Sequence, residues 1–190
     1  TTDANGDIYA SGWTEGSFDS QPHNGWYDGF VTKYSPDGSK RWTRIFGTSQ
    51  SESANAVTVS NGYLYATGGT SGNLDGSIVQ GGGDAFLIKY DLDGNKIWTR
   101  LFGSTEQSDD SWSITSDNQG SIYAAGYTNG GFPGIPSNGS LDGFVTKFDS
   151  DGNQVWSRLI GGPYGEIITG ITTGVDGSIY ACGYTESNLN

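Results

Sequence analysis

The sequence predicts an all-β protein, a β-propeller built from four-stranded antiparallel blades. Three observations point to this fold. Glycine accounts for 32 of the 190 residues while aromatic residues reach 13%, a combination typical of many short strands joined by tight turns. The chain also repeats itself at a period of about 57 residues. Finally, each repeat contains four short strand-like segments separated by turn residues.

The repeat is carried by several markers that keep the same spacing. The clearest is the pattern Ile/Leu-Tyr-Ala-x-Gly, whose tyrosines are separated by 56, 58 and 57 residues. A second marker is Asp-Gly/Ala-Phe, and a third is an Asp-Gly turn followed by a tryptophan. Independent markers in one register make the repeat secure. The tyrosines are Tyr9, Tyr65, Tyr123 and Tyr180, and the tryptophans are Trp42, Trp98 and Trp156.

Each repeat reads as four strands in order. Strand one is short and mixed, strand two contains the Tyr-Ala-x-Gly marker, strand three begins at Asp-Gly/Ala-Phe, and strand four contains Trp-Thr/Ser-Arg. Asp-Gly pairs such as Asp93-Gly94 join strands three and four, where glycine adopts a positive φ at little cost. The predicted copies of strand one are Ala54–Ser60, Ser111–Asp117 and Ile167–Thr173.

The chain holds about 3.3 repeats, whereas propellers close with roughly 4–8 blades. We therefore interpret residues 1–190 as a single propeller segment that belongs to a longer chain. Closure of the ring by self-association is the alternative. The predicted repeats are a partial blade at 1–53, full blades at 54–110 and 111–166, and a partial blade at 167–190.

The markers resemble the SBBP repeat, a β-propeller repeat of bacterial surface and secreted proteins. The segments that carry the resemblance are Gly120–Thr128, Gly82–Lys89, Asp91–Gly94 and Trp156–Gly162. The resemblance implies a propeller and an extracellular or cell-surface location in a bacterium. It implies no single activity, because fold does not determine function.

Charge and composition exclude several classes of partner. Nine Lys and Arg against 21 Asp and Glu give a net charge of −12, which argues against nucleic acid and anionic membranes. The chain contains no apolar run long enough to span a membrane. Its single cysteine, Cys182, cannot form an internal disulfide.

Strand direction alternates within a blade, so the long loops should share one face of the propeller. Of the 21 acidic residues, 12 fall on that side, and the basic residues fall outside its loops. The sequence therefore predicts an acidic face, which either keeps the protein soluble or binds cations or a basic partner. The acids are Glu15, Asp19, Asp28, Glu52, Asp75, Asp84, Glu106, Asp109, Asp110, Asp142, Glu166 and Glu186.

The Asp-x-Asp-Gly-Asn segments are weak candidates for calcium ligands. Asp91 and Asp93 recur as Asp149 and Asp151, with oxygens at alternating positions. A calcium loop of the EF-hand type needs a glycine at position six and a glutamate at position twelve, and both are missing. We therefore predict hairpin turns and no required cofactor, with calcium as the alternative.

Six of the nine basic residues occupy fixed positions in the repeat. Such residues are expected to be structural, since function usually breaks the symmetry of a repeat. We expect them to pair with Asp28, Asp84 and Asp142, the first residues of strand three. The six are Lys33, Lys89, Lys147, Arg44, Arg100 and Arg158.

The residues that break the repeat are the candidate binding site. Trp13, His23, Trp26 and Tyr27 cluster in the first long loop, and Tyr164 lies in another loop of the same face. Exposed aromatic rings beside Asn and Asp can stack on sugars through their apolar faces, which gives a glycan-binding hypothesis. The alternative is that the tryptophans fill gaps between loops.

Catalysis is not expected. His23 is the only histidine, and adjacent Asp109 and Asp110 on a strand would point apart, so they form a poor acid–base pair. We therefore predict a non-catalytic module for protein interaction or scaffolding at a bacterial surface. A glycan-binding propeller is the first alternative, and a fragment of a carbohydrate-active hydrolase or lyase is the second.

Overall fold

The computed structural model describes residues 1–186, which form four successive antiparallel sheets. The two central sheets are complete four-stranded blades, and we name their strands a to d in chain order. Within each blade, every strand pairs with the next one along the chain. Blade 2 contains β4 (Glu52–Ser60), β5 (Tyr63–Thr70), β6 (Asp84–Asp91) and β7 (Lys96–Phe102), and blade 3 contains β8 (Asp109–Ser116), β9 (Ile122–Thr128), β10 (Asp142–Phe148) and β11 (Gln154–Ile160).

The outer two sheets contain only part of this set within the described residues. Blade 1 has strands b to d, and blade 4 has strands a and b. The predicted partial propeller of four-stranded antiparallel blades is thus confirmed. No helix in residues 1–186 is both long and apolar enough to cross a membrane. Blade 1 contains β1 (Ile8–Thr14), β2 (Asp28–Tyr34) and β3 (Lys40–Phe46), and blade 4 contains β12 (Glu166–Thr173) and β13 (Ile179–Thr185).

The a strands of successive blades face one another along the inner side of the arc, where β4 contacts β8 and β8 contacts β12. Each a strand carries one bulged residue, namely Asn55, Trp112 and Thr169. A bulge leaves its residue out of the ladder and bends the strand. All three bulged residues are exposed.

The hydrophobic core lies between the blades. A strand presents successive side chains to opposite faces, so β6 buries Phe86 and Ile88 against blade 1 and Ala85 and Leu87 against blade 3. All four residues have no exposed surface. A single sheet therefore has no core of its own, and its stability depends on its two neighbours.

Tight turns join strands c and d, as predicted. In the turn from Asp91 to Asn95, the Asp91 N–H donates to the Asn95 carbonyl at 3.0 Å, and Gly94 adopts a φ of +83°. The corresponding glycines, Gly38 and Gly152, have φ values of +83° and +81°. These are conformations that glycine adopts without a steric penalty.

The cd turns also connect neighbouring blades through hydrogen bonds. Arg44 of blade 1 donates to the carbonyls of Gly94 and Asp93 in the turn of blade 2, at 2.9 and 3.1 Å. The Trp42 indole and the Lys33 ammonium both donate to the Leu92 carbonyl of the same turn. The turn of one blade is therefore the acceptor for side chains of the blade before it.

The same contact recurs at the next junction. Lys89 donates to the Ser150 carbonyl at 2.9 Å, and Arg100 donates to the Asp151 carbonyl at 3.3 Å. Arg100 also stacks over the Trp98 ring at 4.9 Å, a cation–π contact that Arg44 and Arg158 repeat with their own tryptophans. The structural role predicted for the repeated basic residues is consistent with these contacts.

The predicted partners of these basic residues are wrong. Asp28 and Lys33 lie five residues apart on β2, about 16 Å along an extended strand. Lys33 instead forms an ion pair with Asp7 at 2.9 Å. Among the three ion pairs identified in residues 1–186, none involves Asp28, Asp84 or Asp142.

Replacing Arg44 with methionine should destabilise the chain. The change removes both hydrogen bonds to the cd turn of blade 2 and the stacking on Trp42, and we expect a loss of about 1–2 kcal/mol in the free energy of unfolding. Urea denaturation, monitored by circular dichroism, measures the free energy of unfolding of the variant and of the wild type. Arg41→Met is the matched control, because Arg41 is exposed on the same strand. Equal losses in the two variants would contradict a role for the inter-blade contact.

Candidate functional site

The two kinds of long loop meet at one edge of the sheets. In each blade, the residue before strand c forms a parallel bridge with the residue before the following strand a. At the first junction the Glu52 N–H donates to the Tyr27 carbonyl at 2.8 Å. The bc and da loops therefore share one face, which we call the long-loop face. The bridged pairs are Tyr27–Ser51, Gly83–Ser108 and Leu141–Gly165.

Buried carboxylates hold these loops. The Asn24 N–H donates to Asp28 at 2.6 Å, and the Thr48 N–H donates to Glu52 at 2.6 Å. The carboxylate of Asp142 lies so close to Gly161 that a Cβ there would fall 1.5 Å from its oxygen. Buried carboxylates of this kind satisfy backbone N–H groups of the loops. The buried set is Asp28, Glu52, Asp84, Asp109, Asp142 and Glu166.

The acids of the predicted acidic face differ in exposure, and the net charge of that face stays a prediction. Six of its twelve acids are the buried carboxylates described above. Asp19 and Asp75 form ion pairs with Lys40 and Lys96, because their bc loops fold back along strand d. Much of the negative charge counted from the sequence is thus buried or paired. Glu15, Glu106 and Glu186 are exposed.

The weak calcium candidates lie in the cd turns. Asp91 accepts the N–H groups of Asp93 and Asn95 with one oxygen, at 3.0 and 2.8 Å, and the Asn95 amide with the other. These bonds, led by the one from the Asn95 side chain, lower the pKa of Asp91. Asp149 makes the same set of bonds with Asp151 and Asn153.

The carboxylates of Asp91 and Asp149 are thus already engaged in closing their turns. No group of three or more His, Cys, Asp and Glu side chains in the described part of the chain is arranged to hold a metal. Calcium binding stays a prediction of the sequence.

A cavity of about 430 Å³ lies on the long-loop face where blades 1, 2 and 3 meet. The innermost strands β4 and β8 begin at it, and β1, β5 and β9 end at it. Its volume falls within the range of about 300–1,000 Å³ usual for ligand sites. Trp13, Tyr27 and Tyr127 provide its aromatic lining, and Glu52, Asp109 and Asp110 are the acidic residues that line it.

Two glycines create this cavity by breaking the repeat. Strand pairing shows that Gly69 in blade 2 occupies the same position as Tyr127 in blade 3 and Tyr184 in blade 4. By the repeat spacing, the residue at this position in blade 1 is Trp13. Gly83 occupies the position of Tyr27 and Leu141. Where the other blades place a large side chain, blade 2 places none, and this leaves the space open.

Asp110 lies at the inner wall of the cavity. One of its oxygens accepts the Asn55 amide at 2.9 Å, and the other accepts the Trp112 indole N–H at 2.9 Å. Burial raises the pKa of Asp110 to about 6. Ser53 and Ile167 stand at the same register position in blades 2 and 4, so among the three a strands within residues 1–186 the carboxylate occurs in blade 3 alone.

Two of the predicted site residues come together in the structure. The rings of Trp13 and Tyr27 meet edge to face with centroids 4.9 Å apart, and both line the cavity. Trp26 is 77% exposed and Tyr164 is 61% exposed, and neither lines the cavity. Trp26 lies at the junction of blades 1 and 2, where its N–H donates to the Gln50 carbonyl, and Tyr164 lies at the junction of blades 3 and 4. His23 donates its backbone N–H to Ser17 and also lies outside the cavity lining.

The sequence prediction missed Trp112 and Tyr127. Their rings pack against each other with centroids 5.9 Å apart beside Asp110. Trp112 breaks the repeat, since Asn55 and Thr169 occupy its equivalent positions. Tyr127 does not, because Trp13 and Tyr184 stand at its position and Gly69 is the residue that departs from it. Trp13 therefore follows the repeat too, and the expectation that it breaks the repeat is wrong.

The adjacent carboxylates Asp109 and Asp110 separate as predicted. Asp109 accepts the N–H and the hydroxyl of Ser104 with one oxygen, at 2.6 and 3.0 Å, whereas Asp110 faces Asn55 and Trp112. The two carboxylates thus hold different loops and strands.

Comparison with known proteins agrees with the fold. Residues 97–133 match the model of the SBBP family, described as a beta-propeller repeat, which confirms the resemblance seen in the sequence. The WD40 domain of Pan2 from Neurospora crassa superimposes with a TM-score of 0.51 at 13% identity, over 88% of this chain and 42% of that one. At this identity the likeness shows the propeller fold alone.

One curated relative is similar over most of the chain. The regulatory protein FlaEY of Caulobacter vibrioides is 26% identical over 196 aligned residues, which cover 90% of this chain and 20% of that protein. The chain therefore spans about a fifth of the length of this relative.

The buried carboxylates give the protein an unusual dependence on pH. Burial raises the pKa of Asp84 to about 6, and the nearby charge of Asp109 adds to the shift. One oxygen of Asp84 accepts the Gln80 N–H, and the other has no hydrogen-bond partner. Since the unfolded carboxyl has a pKa near 3.8, the folded chain takes up protons between about pH 6 and pH 4, and this uptake stabilises the fold.

We therefore expect the melting temperature to rise as the pH falls from 7.5 to 5. Asp84→Asn should raise the melting temperature at pH 7.5 by about 2–4 °C and reduce the further rise on acidification, because the neutral amide carries no buried charge. Differential scanning calorimetry measures both. Asp93→Asn, at an exposed turn position, is the control. A wild-type melting temperature that falls steadily over this range would contradict the prediction.

Proposed function

We propose that this chain is a non-catalytic β-propeller segment that binds a protein partner at or outside a bacterial cell surface. The observation that carries the proposal is the aromatic-lined cavity at the junction of blades 1, 2 and 3. Trp13 is 53% exposed there and Tyr27 is 38% exposed. Exposed aromatic rings around a concave site are the usual anchors of a protein interface.

The position of the cavity supports this interpretation. It lies among loops that buried carboxylates and backbone bridges hold in place, on a sheet scaffold stabilised by the cd turns. Loops on a rigid scaffold are where propellers and similar folds carry their binding residues. A preformed site of this kind loses little conformational entropy when a partner binds.

The proposed location has a different basis. It follows from the SBBP repeat, which the sequence resembles and residues 97–133 match, because that repeat implies an exported protein. The name of the relative FlaEY describes a regulatory protein, which is consistent with a binding role.

A peptide-display selection tests the proposed interaction. A library of random linear peptides is selected against the wild-type chain, and the enriched peptides are measured by fluorescence polarisation. We expect Trp13→Ala to weaken their binding at least about 10-fold, the effect of losing an aromatic anchor. The control Trp26→Ala should leave it unchanged, because Trp26 lies outside the cavity.

Two outcomes would contradict the proposal. One is a selection that enriches no peptide, and the other is a set of peptides that bind Trp13→Ala as tightly as wild type. Circular dichroism of both variants verifies that they are folded.

Glycan binding is a second candidate, supported by the exposed ring of Trp26. With 77% of its surface exposed, this indole presents an apolar face of the kind that stacks on sugar rings. A glycan array separates the two functions. Glycan binding that Trp26→Ala abolishes would favour the lectin role. An array without signal would contradict the lectin role and leave protein binding as the remaining candidate.

A further inference from the structure

The cavity at the junction of blades 1, 2 and 3 contains a carboxylate that the fold does not require. Asp110 has Ser53 and Ile167 at its equivalent positions. The strands β4 and β12 therefore form with a hydroxyl or an aliphatic side chain at this position. The Asn55 amide of blade 2 donates to this carboxylate across the junction, but the other junctions form without a charge at this position, so the charge calls for a further explanation.

The charge of Asp110 is not neutralised by any cation that lines the cavity. Its partners are the neutral Asn55 amide and the neutral Trp112 indole. The cavity lining contains no Lys, Arg or His, and the ion pairs identified within residues 1–186 involve other acids. The Ser111 backbone N–H also interacts with this carboxylate. Since a carboxylate accepts about four hydrogen bonds, Asp110 retains acceptor capacity.

The other acidic residues of the lining are buried, whereas Asp110 is half-buried. Glu52 accepts hydrogen bonds from Thr48 and Thr70. Asp109 accepts those of Ser104 with one oxygen, and its other oxygen is enclosed without a partner. These carboxylates hold loops and add negative potential without facing a cation. Asp110 is thus the carboxylate best placed to meet a charged group that enters the cavity.

Aromatic rings accompany this carboxylate. Trp13, Tyr27 and Tyr127 line the same space, and Trp112 packs on Tyr127. The faces of such rings carry partial negative charge and attract cations, with ammonium and guanidinium groups as the usual partners. The open position of Gly69 leaves Asp110 accessible between them, since a Cβ there would lie 2.8 Å from its oxygen.

We propose that this cavity binds a cationic side chain, the ammonium of a lysine or the guanidinium of an arginine, from a partner protein. The inference rests on the proposed protein-binding function and names the chemistry recognised at its site. The carboxylate supplies the counter-charge and the aromatic rings surround the rest of the side chain. Burial holds the pKa of Asp110 near 6, so the group is ionised at neutral pH and can pair with the cation.

Short peptides of matched shape test the proposal. Blocked tripeptides Gly-X-Gly, with X as lysine, arginine, norleucine or glutamate, are titrated into the wild-type chain and followed by tryptophan fluorescence and calorimetry. We expect the lysine or the arginine peptide to bind at least about 10-fold more tightly than the norleucine peptide, because norleucine has a similar length and no charge. The glutamate peptide should not bind.

Two variants copy natural junctions of the same chain. Asp110→Ser places the residue of blade 2 in blade 3, and it should weaken binding of the basic peptide at least about 10-fold. Gly69→Trp combined with Asp110→Ser reproduces the pair Trp13 and Ser53 and should abolish binding by filling the cavity. If the double variant does not fold, the single variant still decides the question. The control Asp93→Ser lies outside the cavity and should leave binding unchanged.

The outcomes separate this inference from the proposed function. Display-selected peptides that depend on Trp13 but lack basic residues, together with a lysine peptide that does not bind, would overturn the cation site and leave the protein-binding role intact. Equal binding of the norleucine and basic peptides, or unaltered binding to Asp110→Ser, would also overturn it. Failure of both the selection and the tripeptide titration would overturn both.

Discussion

The arrangement of the blades depends on the carbonyl groups of the cd turns. Each turn projects backbone acceptors toward the preceding blade, where Trp42 and Arg44, or Lys89 and Arg100, donate to them. Because a single sheet buries both of its faces against its neighbours, no blade is stable by itself. The hydrogen bonds between side chain and turn hold one sheet at a defined position on the next, which allows the apolar side chains between them to pack.

Hydrogen-bond acceptors also hold the long-loop face, at the other end of the strands. There the acceptors are carboxylates, and the donors are the backbone groups of loops that would otherwise be unsatisfied. Burying these acids costs free energy, as the raised pKa of Asp84 indicates. The cost is tolerated because each carboxylate accepts a loop N–H group, as Asp28 does from Asn24 and Gly25. The result is a firm rim around the inner strands, on which a binding site can be preformed.

The spacing of markers was sufficient to predict the propeller, the order of the strands and the glycine turns, because these depend on local chemistry. Contacts between side chains of different segments could not be predicted from these markers. Asp28 and Lys33 share a fixed register and opposite charges, yet they lie at opposite ends of β2, and strand geometry alone keeps them apart. Asp19 and Asp75 were assigned to an acidic face, but their loops fold back to Lys40 and Lys96. A loop's path follows from tertiary contacts that its composition does not reveal.

The candidate site was predictable only in part for a related reason. Tyr27 could be recognised as an aromatic residue that the other repeats lack. The cavity itself, however, results from what is missing at Gly69 and Gly83, and Asp110 of the next blade lines it. A single glycine is not a distinctive signal in a sequence where glycine is abundant. In a repeat protein, a small residue at a position where its equivalents are large marks a space, and the residues across that space are the ones that determine what it accepts. Because the scaffold contacts at the cd turns are unaffected by these positions, their side chains can differ from blade to blade without loss of the fold, and binding specificity can reside there.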